Sequence, residues 1–94
     1  MIKRDLAIEI NRISADESIS EPERLAAAFG YATESFILHS GRELELARAM
    51  GDEEMAVKEQ IKSNVMQLAR EMFEFCYLNV TGSRKGIWHE QEPS

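Results

Sequence analysis

Two side chains in this 94-residue sequence could take part in acid–base or nucleophilic chemistry. His39 lies one helical turn before Glu43 and could act as a base beside it or beside Glu34. Cys76 could be a nucleophile only if a basic neighbour stabilised its thiolate, whereas its surroundings in the sequence are aromatic and apolar. A packed helical histidine and a small buried cysteine are the simpler interpretations. We therefore predict no catalytic residue.

The acidic run Asp52, Glu53 and Glu54 is the one candidate for a divalent cation. Consecutive positions do not share a helix face, and acidic residues are favourable in the first turn of a helix. The chain has no glycine-rich phosphate loop, no paired cysteine motif, no zinc helix and no nucleophile turn. It also has no Glu–x–x–His pair for a di-iron bundle. We predict no metal, no cofactor and no enzymatic activity.

The charge and composition favour a protein partner over nucleic acid or a membrane. With 17 acidic against 11 basic residues the net charge is −6, which repels polyanions, and the basic residues form no stripe. One cysteine excludes an intramolecular disulfide, and the N-terminal residues do not resemble a signal peptide. No apolar run approaches the roughly 20 residues of a membrane span. We expect a cytoplasmic protein.

Apolar spacing predicts three helices, over residues 2–14, 21–50 and 52–79. Ser20 and Glu23 form a capping box before the second helix. Gly41 lies either inside that helix or at a kink, since the apolar period continues through it. Asp52 caps the third helix and Gly82 ends it. The prediction is an all-α domain over residues 1–82, with the two long helices in an antiparallel hairpin, followed by a flexible tail over 83–94.

The third helix is apolar on more than one face. Its main stripe, which we assign to the core, and its second stripe are too wide for one partner helix to cover, and uncovered patches of this kind mark interfaces. We predict that dimerisation completes the bundle; the alternative is a monomeric three-helix bundle in which the first helix covers the second stripe. The main stripe comprises Ile61, Val65, Leu68, Met72 and Phe75, and the second Met66, Ala69, Phe73, Tyr77 and Val80.

The tail carries two basic residues beside the single tryptophan, in the stretch "SRKGIW". Arginine and tryptophan are enriched at the centres of interfaces, so this arm could anchor in a partner. Alternatively, the tryptophan folds back onto its own bundle. The predicted partner-binding and oligomer-interface residues are Met66, Met72, Phe73, Tyr77, Val80, Arg84, Lys85 and Trp88.

The segment "PERLAAAFGYATESFILHSG", residues 22–41, resembles a helix-turn-helix with Gly30 in the turn. Its second helix would present Glu34 but no Arg, Lys, Asn or Gln, the side chains that read bases and contact phosphates. Because of the helix-turn-helix resemblance, the alternative function is a nucleic-acid-binding regulator or packaging-recognition subunit that oligomerises through its last helix. The missing side chains make this alternative the less favoured one. A continuous helix through Gly30 is the other interpretation of this segment.

In length, acidity and helical character the whole chain is similar to the small acidic accessory proteins of temperate bacteriophages. These include the anti-RecBCD proteins, which modify the host recombination nuclease. The resemblance rests on the chain as a whole, so it assigns no site residue. It implies a non-enzymatic phage protein that binds and modulates a host DNA-processing or recombination protein. We expect such a modulator, acting as a homodimer.

Overall fold

The computed structural model describes residues 4–83, which form three α-helices and no strand. They are α1 (Arg4–Ser14), α2 (Glu21–Ala49) and α3 (Glu53–Thr81). The helices α2 and α3 pack against each other as a hairpin, and α1 packs against α2 without approaching α3. The all-α class and the helical hairpin are confirmed. Almost all of the predicted tail lies outside the described residues.

Local capping sets the ends of the long helices where the sequence predicts them. The Ser20 side chain accepts from the N–H of Glu23, and the Glu23 carboxylate accepts from the N–H of Ser20 in return. Asp52 accepts from the N–H of Met55 at 3.0 Å at the start of α3. Gly51 and Gly82 have φ angles of +71° and +70°, which only glycine adopts without strain.

The helix α2 runs unbroken through Gly30 and Gly41. Residues 22–41 are therefore one continuous helix, and the helix-turn-helix interpretation of this segment is wrong. Each glycine costs about 1 kcal/mol relative to alanine in a helix interior. Packing of α2 along the length of α3 offsets that cost, because helices in proteins gain most of their stability from tertiary contacts.

The interface between α2 and α3 is a seam in which residues recur alternately every three and four positions on both helices, the spacing of a coiled coil. Every member is buried or half-buried. The hairpin seam comprises Ala26, Gly30, Thr33, Ile37, Ser40, Leu44 and Ala47 on α2, and Ala56, Glu59, Ser63, Met66, Arg70, Phe73 and Tyr77 on α3.

Arg70 fixes the register of the seam by donating to the carbonyl oxygen of Gly30 and to Oγ1 of Thr33, both at 2.9 Å. The helices are antiparallel, so the residue seven positions before Thr33 should face the residue seven positions after Arg70. These residues are Ala26 and Tyr77. These two residues indeed form the buried apolar cluster of the fold. The same step in the other direction places Ser40 level with Ser63.

The seam corrects the predicted core of α3. The main stripe from Ile61 to Phe75 faces away from α2, and the second stripe supplies Met66, Phe73 and Tyr77 to the seam. Small residues on α2 let the two backbones approach closely. The polar seam residues are largely paired: Thr33 donates to the carbonyl of Phe29, and Lys62 donates to the buried Glu59 carboxylate.

The first helix does not cover the second stripe, so the monomeric three-helix bundle with that arrangement is also wrong. A short loop returns the chain from α1 to α2, and Arg24 ties it down by donating to the carbonyls of Asp16 and Ile19. Helix α1 packs on α2 and makes no contact with α3.

Candidate functional site

The outer side of α3 carries an uninterrupted apolar stripe, which we call the outer stripe: Ile61, Val65, Leu68, Met72 and Phe75. Each member lies two positions from a seam residue, a rotation of about 200° around the helix axis. Their exposed fractions lie between 55% and 69%. Neither α1 nor α2 covers the outer stripe, so this face is free within residues 4–83.

A second apolar surface lies at the open end of the hairpin, away from the α2–α3 turn. The rings of Phe29 and Phe73 stack across the two helices with centroids 4.5 Å apart and an interplanar angle of 10°. The ring of Tyr77 follows that of Phe73 at 6.1 Å and is buried. The stacked pair thus joins the buried core to the molecular surface.

Two exposed aliphatic residues flank this aromatic pair. Leu25 is 61% exposed and Val80 is 85% exposed. Leu25 lies four residues before Phe29 on α2, and Val80 lies seven residues after Phe73 on α3, so each shares a helix face with one ring of the pair. We call Leu25, Phe29, Phe73 and Val80 the open-end face.

The predicted site residues separate into three groups. Met72 lies in the outer stripe and Val80 in the open-end face, both exposed. Met66, Phe73 and Tyr77 belong to the hairpin seam: Tyr77 is buried, and Met66 and Phe73 are half-buried. Of these three, Phe73 also belongs to the open-end face. The predicted residues Arg84, Lys85 and Trp88 lie outside the described residues.

The sequence interpretation missed the part that α2 plays in the surface. Leu25 and Phe36 follow the apolar 3.6-residue period of α2, yet both are exposed. The sequence does contain a signal for the seam face of α2. Small residues (alanine, glycine, serine and threonine) recur every three or four positions beside the apolar stripe. Two seven-residue periods in one helix indicate two packing faces.

The side chains considered for chemistry are dispersed. Nε2 of His39 lies 3.9 Å from Oε1 of Glu43, an exposed pair on one helix. Cys76 is a free thiol and is exposed, which corrects its assignment as a buried residue. Asp52 serves as the cap of α3. Among residues 4–83 no group of three or more His, Cys, Asp or Glu could hold a metal ion.

Electrostatic shifts among the described groups arise in α1 and the loop after it. Hydrogen bonds and charge attraction from Arg12 lower the pKa of Glu9. Hydrogen bonds from the hydroxyl and the backbone N–H of Ser18 lower the pKa of Asp16. Asp16 is exposed and Glu9 is half-buried. Both carboxylates bond to near neighbours in the sequence, so they stabilise local structure and do not form a reactive centre.

None of the helices described over residues 4–83 is long and apolar enough to cross a membrane. Comparisons of the chain with models of protein families, with curated proteins and with solved structures give no match. The two exposed apolar surfaces of the hairpin are therefore the features from which a function can be argued.

Proposed function

We propose that this protein is a non-enzymatic binding protein that modulates a partner protein through the open-end face. The observation that carries the proposal is the Phe29–Phe73 stack flanked by the exposed Leu25 and Val80. Exposed apolar patches beside ordered aromatic rings are typical of protein-binding surfaces.

The stack makes the face rigid before a partner binds. Phe73 is held between Phe29 and Tyr77, so binding does not have to order these rings. Preorganised aromatic groups lose little conformational entropy on association and bury large apolar areas. The residues that would gain most contact with a partner are Leu25 and Val80, because they are the most exposed members.

The class of partner comes from the resemblance to phage accessory proteins. It favours a host DNA-processing or recombination protein, and with it a bacterial cytoplasmic site of action. Arg84, Lys85 and Trp88 directly follow the open-end face in the chain, and we propose that they extend it. The acidic net charge of −6 favours a partner with a basic surface.

The test is capture of a purified host recombination nuclease by wild-type and variant protein. Leu25→Glu should weaken capture about tenfold or more, because a charge would replace an exposed apolar side chain that the partner is expected to bury. Val80→Lys should act similarly, and lysine is compatible with a helix C-terminus. Leu38→Glu is the matched control, since Leu38 lies on the same helix, outside the face, and is 54% exposed.

The native thiol offers a second measurement that needs no substitution. Cys76 is exposed and comes one position before the seam residue Tyr77, beside the open-end face. A partner bound there should slow alkylation of Cys76. Capture that Leu25→Glu and Val80→Lys leave unchanged would overturn the proposed face. Salt-sensitive retention on duplex DNA without a protein partner, lost on Arg24→Ala or Arg42→Ala, would support the nucleic-acid alternative instead.

A further inference from the structure

We infer that the outer stripe of α3 packs against the outer stripe of a second copy, with the two α3 helices antiparallel and Leu68 at the two-fold axis. The inference deepens the proposed function by assigning the oligomer contact to a surface separate from the open-end face. It also differs from the sequence prediction, in which the main stripe formed the core.

The spacing of the outer stripe is that of a helix-pairing surface. From Ile61 to Phe75 its members recur at intervals of four, three, four and three residues. The stripe runs about 21 Å along α3, which is the length of two seven-residue repeats of a coiled coil. A helix of the same length and spacing is its geometric complement, and α3 of a second copy is such a helix.

The exposed side chains of the outer stripe are large enough to stabilise a helix pair. Each of the five is 55–69% exposed. Burial of such an apolar side chain is favourable in proportion to the apolar area that is removed from water. Covering all five, which are already partly buried, would therefore stabilise the pair.

Neither α1 nor the composition of residues 84–94 matches the outer stripe. The helix α1 packs against α2 and does not contact α3. Residues 84–94, "RKGIWHEQEPS", contain Ile87 and Trp88 as their large apolar residues, against five in the stripe. A second copy supplies all five at the required spacing.

The side-chain sizes select the antiparallel orientation. About a two-fold axis at Leu68, Ile61 lies opposite Phe75 and Val65 opposite Met72, so each shorter β-branched side chain meets a longer one. A parallel pair would place two phenylalanines together at one end and two isoleucines at the other. Alternating large and small side chains fills an interface more evenly.

The flanking charges are compatible with the antiparallel pair. On one side of the stripe stand Asn64 and Glu71, and on the other Lys58 and Lys62. In an antiparallel pair each flank of the stripe lies beside the same flank of the second copy. Because the two helices run in opposite directions, the beginning of a flank in one copy lies beside its end in the other. Glu71 then lies near Asn64 of the second copy, and the lysines lie near the end that carries Cys76. No two like charges are brought together.

Light scattering of the full-length protein tests the contact. The wild type should have twice the mass of the 10.7-kDa chain, and Leu68→Glu should halve it, with helical circular dichroism unchanged. Leu38→Glu should remain dimeric, as should Leu25→Glu. A monomeric wild type, or a dimeric Leu68→Glu variant, would overturn the inference. Loss of partner capture by a dimeric Leu25→Glu variant would concern the proposed function alone, so the two failures are distinguishable.

Disulfide trapping tests the orientation in a Cys76→Ser background. Leu68→Cys should cross-link to its own copy on oxidation, because the two-fold axis brings the thiols together. Ile61→Cys should not cross-link with itself but should do so when mixed with Phe75→Cys. Self-cross-linking of Ile61→Cys would show a parallel pair and overturn the antiparallel arrangement.

Discussion

Arg70 of α3 donates a hydrogen bond to Oγ1 of Thr33 on α2 at 2.9 Å, and the same Nη1 donates to the carbonyl of Gly30. Thr33 in turn donates to the carbonyl of Phe29, whose ring stacks on Phe73. One polar contact thus lies beside the aromatic stack and sets the register of both long helices.

Removing this contact should destabilise the hairpin. We expect Arg70→Met and Thr33→Val to be coupled by about 1.5–3 kcal/mol in a double-mutant cycle, the range for a hydrogen bond to a charged donor. Urea unfolding of the wild type, both single variants and the double variant measures the coupling. Strictly additive effects would show that the bond contributes nothing to the register.

The aromatic stack should support the fold as well as the open-end face. Phe73→Ala should lower the free energy of unfolding by about 3 kcal/mol, at the lower end for a phenylalanine because Phe73 is half-buried. The control is Phe75→Ala, on the outer stripe of the same helix. Both changes should be made in the Leu68→Glu background, where pairing between copies is absent. Equal losses for Phe73 and Phe75 would contradict the assignment of the two faces.

Ser40 has a fully buried hydroxyl without a hydrogen-bond partner among the described residues. Ser40→Ala should therefore raise the free energy of unfolding by about 1 kcal/mol, since it removes an unsatisfied polar group and improves helix propensity. Thermal unfolding measures the change. A loss of stability would indicate that the hydroxyl has a partner, for example a bound water molecule.

Gly41 and Gly51 should respond to alanine in opposite directions. A Cβ on Gly41 meets nothing within 4 Å, so Gly41→Ala should stabilise α2 by about 1 kcal/mol. Gly51 has φ +71°, and Gly51→Ala should destabilise the turn by about 1–2 kcal/mol. Each serves as the control for the other in denaturant unfolding. Destabilisation by both would mean that α2 is kinked at Gly41.

Asp16 should show a pH dependence that Ser18 controls. The hydroxyl and backbone N–H of Ser18 lower the pKa of Asp16, so their stabilising effect is complete above the ordinary aspartate pKa and is lost as pH falls through the lowered value. Ser18→Ala should raise the pKa of Asp16 towards its ordinary value in an NMR titration. Ser14→Ala, which removes a hydroxyl bonded to the Ile10 carbonyl, should leave it unchanged. An unchanged pKa in Ser18→Ala would contradict the assignment.

The helices and their ends could be predicted because their causes are local. Ser20 with Glu23, Asp52 and Gly82 act on backbone groups within a few residues of themselves, and the structure places all of these caps as predicted. The continuity of α2 through Gly30 and Gly41 could not be predicted, because the cost of a glycine is local while the packing that offsets it comes from α3.

The sequence by itself determined that this protein is all-α, where its long helices begin and end, and which residues of α3 share a face. Only the tertiary structure decided which face meets α2. Hydrophobicity favoured the stripe of Ile61, Val65 and Leu68, yet the hairpin closes through Ser63, Arg70 and Tyr77. The physical reason is that the helical period decides which residues of α3 share a face, whereas the surface of α2 decides which of those faces packs against it. The small seam residues of α2 accept a close, partly polar contact, and this leaves the most apolar stripe of α3 exposed.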